Sequence, residues 1–149
     1  MKAQTSVEYI VIIAVVLFFG LLVLALAGFF PSFSFSAQEQ TSKTFWESAT
    51  PISILDAYQS NNNLFLVLEN KAKTTLNLSS ITLIYGLKEY YLNSSQILLF
   101  PGQIYTTSLS VRNCTKNQVL SYQVIINYST ETQNNLIQKS TKELFVKCN

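Results

Sequence analysis

The chain has 149 residues, 48% of them hydrophobic, 13% aromatic and only 12% charged, and 10 Lys+Arg against 8 Asp+Glu leave a net charge of +2. With no histidine, 2 cysteines and 4 glycines, zinc enzymes, His-based acid/base chemistry and Ser/His or Cys/His triads are excluded, as are Gly-rich phosphate loops. The charge is too small to make a basic face for nucleic acid, and the length suits one domain plus one further element. This composition points to a structural or binding protein rather than an enzyme, with no cofactor and no metal.

The charges are unevenly placed. Lys2 and Glu8 sit at the N-terminus, and the next charge is Glu39. Residues 9–30 carry none. As a helix, a run of this length spans roughly 33 Å, close to the ~30 Å of a bilayer's hydrocarbon core. A core helix of a small domain would show a polar stripe, and this run has none. It reads as a helix that occupies a membrane at some stage. Gly20, Ala25, Ala27 and Gly28 would let a neighbouring helix approach closely, although ordinary transmembrane composition is the better account of them.

Pro31 follows, then a Ser/Phe stretch and a polar segment, residues 38–48. Two forms fit: a helix restarting at Pro31 as its first residue, or one continuous helix kinked there. Either way the segment is a stalk, and Pro51 marks its boundary. Beyond it Val, Ile, Thr, Tyr and Phe become frequent between Asn/Ser/Gly clusters. The expected strands are 52–58, 64–70, 81–85, 89–92, 104–111, 119–128 and 136–147. The alternation is clearest at 119–128, with Leu120, Tyr122, Val124, Ile126 and Tyr128 on one face. Turn chemistry stands at 61–63, 101–102 and 134–135. Seven short strands in this length suggest an antiparallel β-sandwich of immunoglobulin-like type.

If 119–128 and 136–147 form a hairpin, paired residue numbers sum to about 265. Cys148 then falls beside the loop holding Cys114, and a Cys114–Cys148 disulfide is geometrically open to them. Four Asn-x-Ser/Thr sequons occur, at Asn77, Asn93, Asn113 and Asn127, each a possible glycan acceptor in an exported domain. Asp56, Glu69 and Glu89 read as isolated acids without a basic or metal-ligating companion.

The most specific signal is the opening run Lys2-Ala3-Gln4-Thr5-Ser6-Val7-Glu8-Tyr9-Ile10. It resembles the class III signal peptide of archaeal type IV pilin-like proteins, in which a short basic leader and a small residue precede Gln-x-Ser-x-Glu and an apolar helix. Gln4, Ser6 and Glu8 fill the motif positions, and the likeness covers about the first 30 residues. Ala3 departs from the commoner glycine. The resemblance implies cleavage between Ala3 and Gln4 by prepilin peptidase. It further implies handling by pilus assembly machinery, residence in the archaeal cytoplasmic membrane before assembly, and a place in an extracellular filament of identical copies afterwards.

A charge at the edge of an apolar helix needs a partner. Glu8 would find one in the new amino terminus of Gln4 on a neighbouring subunit, setting the axial register. The expected organisation is α+β: leader 1–3, hydrophobic helix and stalk 4–50, β-sandwich 51–149. Two rivals keep the β-domain without a polymer. Ala25-Leu26-Ala27 before Gly28 resembles an ordinary secretory cleavage site, which would release a secreted binding or adhesion module; the other rival is an uncleaved membrane anchor.

Overall fold

The computed structural model describes residues 4–26 and 31–149, with side chains at 7–25, 37–92 and 96–149. Two helices come first, α1 (Gln4–Leu26) and α2 (Pro31–Ser48). Eight strands follow: β1 (Ile52–Ser60), β2 (Asn63–Asn70), β3 (Leu76–Tyr85), β4 (Lys88–Leu99), β5 (Ile104–Ser110), β6 (Val119–Ser129), β7 (Leu136–Lys139) and β8 (Leu144–Cys148). The chain packs as two units, Met1–Ser36 and Ala37–Asn149. Whether the helix restarts or kinks near Pro31 turns on residues 27–30, which lie outside those described.

The strands follow one path, β4-β3-β6-β8-β1-β2-β5, with β7 also on β6. β6 serves both halves of it. Residues 119–122 pair with β8, while 123–129 pair with β3. Alternation decides which face of each strand is covered: Leu120, Tyr122, Val124 and Ile126 of β6 are buried, as are Leu64, Leu66 and Leu68 of β2. They join Leu76, Leu78, Ile81 and Leu83 of β3 and Leu144 and Val146 of β8 in one core. The apolar run at 64–68 therefore buries only alternate residues, with Phe65 and Val67 half-buried on the other face.

Three expectations are corrected. The ladders are not all antiparallel, because β1 runs parallel to β8 through Tyr58↔Lys147 and Gln59↔Cys148. The strand expected at 136–147 is broken. β7 pairs with β6 at Ile125↔Lys139 and β8 resumes at Tyr122↔Leu144, two residues out of step. The intervening Ser140-Thr141-Lys142-Glu143 has no apolar residue to hold a register. The 81–85 and 89–92 strands are longer than expected, since Leu76 and Leu78 bury inward while β4 runs on to Leu99. Their hairpin closes on Gly86-Leu87 between the paired Tyr85 and Lys88. Gly86 has φ +61°, a backbone that only a residue without Cβ adopts freely.

The polar segment 38–48 is not a free stalk, and the compact β unit begins at Ala37 rather than at Pro51. Trp46 is 1% exposed within the core, beside Ile54 and Leu144. The Ser42 hydroxyl donates to the Glu143 carbonyl at 2.9 Å and accepts from the Phe145 N–H at 3.0 Å. That one side chain holds α2 to the start of β8. Side-chain amides close other gaps. Asn70 donates to the carbonyls of Thr74 and Leu99 and accepts from the Ala72 N–H. Gln138 of β7 bonds both backbone groups of Ile52, as a strand neighbour would.

Candidate functional site

α1 is built entirely for an environment other than water. Its segment Val7–Ala25 is the one described helix long and apolar enough to cross a bilayer, and none of it is buried by the rest of the chain. Side chains on every face are open: Val7, Ile10, Phe18, Leu21 and Val23 are each about three-fifths exposed. An apolar surface of this extent is costly in water at about 25 cal/mol per Å², so it has to be covered by lipid or by protein. Glu8 is the helix's single charge, and it is exposed. Gln4 opens the helix, one turn before Glu8. Four residues put the two on one face with a rise of about 6 Å. A methyl group at Gly20 would meet no described atom within 4 Å. Ala3, Ala27 and Gly28, which belong to the two cleavage sites considered, lie outside the described residues.

The far end of the β unit is closed by covalent chemistry. Cys114 and Cys148 are joined, with Cα atoms 6.1 Å apart. Cys148 continues the β6–β8 ladder: its N–H donates to the Gln118 carbonyl and its carbonyl accepts from Asn117. Behind it lies a buried polar knot. The Gln59 amide donates to the carbonyls of Asn61 and Arg112 and accepts from the Tyr122 hydroxyl at 2.8 Å. The Arg112 guanidinium lies 4.5 Å from the centre of the Tyr85 ring, which in turn packs on Tyr122.

Burial pushes the Tyr122 phenol up to about 12; nearby Tyr90 adds to the rise and Arg112 opposes it. In the unfolded chain the phenol titrates near 10. The folded state keeps its proton longer, so this contribution is complete below about pH 10 and lost as pH climbs to about 12. Urea unfolding of the detergent-solubilised chain, read by the fluorescence of its single tryptophan, is expected to lose about 2–3 kcal/mol across that window. Tyr122→Phe lacks this loss and is weaker at neutral pH by about 1 kcal/mol.

Two of the three acids expected to be isolated, Asp56 and Glu69, have partners. Asp56 lies 3.9 Å from Lys43, and Glu69 lies 3.9 Å from Lys71. Lys43 is too far along the chain for spacing to reveal that pair, and both pairs have the geometry of surface ion pairs worth under about 1 kcal/mol. Among the described residues no group of three Cys, Asp or Glu side chains comes together to hold a metal.

The sequons are spread over different settings. Asn77 lies on β3, Asn93 on β4 and Asn127 on β6, while Asn113 stands in the loop between β5 and β6. The Asn77 Oδ1 is buried without a partner, and the Asn127 Nδ2 donates to Ser80 Oγ at 2.8 Å. Neither Trp46 nor Gln59 was signalled by local pattern, because each is positioned by residues distant in sequence. The chain matches no protein-family model and no curated protein.

Proposed function

We propose that the chain is a structural subunit of an archaeal type IV pilus-like surface filament, polymerising through α1 after leader removal between Ala3 and Gln4. The observation that carries this reading is a helix apolar on every face whose single charge, Glu8, stands one turn after Gln4. Before assembly α1 lies in the membrane. On assembly the helices exchange lipid for one another, and every subunit offers the same surface, which builds an open helical polymer. Glu8 pairs with the amino terminus of Gln4 on a neighbour and sets the axial step. The β unit, read as an immunoglobulin-like sandwich whose two layers share β6, forms the outer surface. Prepilin peptidase and the pilus assembly machinery are the partners this implies.

The test is the N-terminus of the protein recovered from its native cells, by intact mass and N-terminal peptide mapping. A start at Gln4 is expected, together with filaments visible by electron microscopy. A start at Gly28 overturns the reading and leaves a secreted β-domain; an intact Met1 leaves a static anchor. Either alternative is supported by the core of residues 37–149, which is complete without α1.

A further inference from the structure

We infer that Asn113 is a glycan acceptor of this chain, and that the sugar is attached before Cys114 closes its disulfide. The inference rests on the export step of the reading above. A sugar on an Asn-x-Ser/Thr acceptor has to be carried on the surface of the finished domain, and two of the four sequons fail that condition. Asn77 and Asn127 stand on β3 and β6, interior strands with ladders on both sides. Asn93 is on β4, the end strand of the path, and its side chain lies outside the described residues. Asn113 alone lies off the ladders, in the residues joining β5 to β6, and its side chain is exposed. A sugar there meets solvent and leaves the core untouched.

The same loop explains the order of events. Its central residue is Cys114, buried and bonded to Cys148. The backbone on either side of Asn113 is tied down. Val111 and Cys114 donate to the carbonyls of Asn62 and Asn61, and the Arg112 carbonyl accepts from Gln59. The Thr115 hydroxyl, the third sequon position, donates to Gln118 Oε1 at 3.2 Å, and the Thr115 N–H bonds the same oxygen. Transfer needs both the amide and that hydroxyl to enter a transferase, so it belongs to the chain before this frame forms. In the step, Asn113 Nδ2 attacks the anomeric carbon of a lipid-phosphate-linked oligosaccharide. A C–N bond forms and the C–O bond to phosphate breaks. The lipid phosphate leaves with the electron pair, and Nδ2 gives up one proton to a base of the transferase. Nothing is oxidised or reduced.

The test is peptide mapping by mass spectrometry of the full chain purified from its native cells, with glycan occupancy read at each sequon and the N-terminus read in the same sample. The expected result is a glycan on Asn113, with the Asn77 and Asn127 peptides bare. A bare Asn113 overturns the inference. If that sample starts at Gln4, the site assignment alone has failed; if it starts at Met1 with free thiols, the export reading has failed with it. Cys148→Ser leaves the Asn113-Cys114-Thr115 acceptor intact but prevents closure. Its occupancy is expected to equal or exceed that of the parent chain, and a lower occupancy would show that the closed loop is the substrate and overturn the proposed order.

Discussion

Glu8→Gln is expected to leave the N-terminus at Gln4 and to abolish filaments, with the processed subunit accumulating in the membrane. The substitution keeps the size and hydrogen-bonding capacity of the side chain and removes only its charge. In a packed bundle of apolar helices that change leaves the neighbour's amino terminus unpaired. Breaking one side of a buried pair costs about 3–5 kcal/mol. Since about 1.4 kcal/mol is a factor of ten in an association constant, the concentration needed for growth rises by roughly two to three and a half decades. Electron microscopy of sheared cells and immunoblotting of membrane fractions measure both halves of this outcome. Glu8→Asp keeps the charge on a shorter arm and is expected to give filaments at reduced yield. Normal filaments from Glu8→Gln would show that assembly needs no charge at this position.

The largest loss of stability is expected from Trp46→Ala. Trp46 is the only tryptophan, is 1% exposed and packs edge-on to Phe45 with ring centres 5.6 Å apart. Removing a buried aromatic of this size costs about 3–5 kcal/mol through lost transfer energy and the cavity left behind, a large part of a domain's typical margin of about 5–15 kcal/mol. Trp46→Phe is expected to be much milder. It restores part of the ring and also removes Nε1, which is buried without a hydrogen-bond partner. Urea unfolding followed by far-ultraviolet circular dichroism distinguishes the two variants. A loss below about 1 kcal/mol for Trp46→Ala would mean that α2 docks only loosely on the β unit.

What could be read from the sequence followed locality. The uncharged run at 9–30 and the alternation at 119–128 are properties of neighbouring residues, so they appear directly in the chain as α1 and β6. The docking of α2 was hidden because its buried contact rests on few side chains, chiefly Ser42 and Trp46, too few to make an apolar stripe. The parallel pairing of β1 with β8 joins strands from opposite ends of the domain, and no local pattern encodes it. The break between β7 and β8 was also missed, since a polar interruption within a strand-like run looks the same whether the ladder tolerates it or slips. At the N-terminus, the proposed Gln4, Ser6 and Glu8 motif is a linear pattern; the group proposed to pair with Glu8 belongs to another molecule and leaves no trace in this one.

The Ser42 clasp between α2 and β8 has a mechanical consequence. A pull transmitted through α2 has two routes into the β unit. One runs along the backbone through Pro51 into β1, and the other passes sideways through Ser42 and Trp46 into β8. β1 and β8 are parallel neighbours, and the C-terminal end of β8 is tied to Cys114. Tension therefore enters both strands from the same end and is directed along them. The hydrogen bonds that join them to β2 and β6 are loaded in shear, sharing the force, rather than peeled apart one after another.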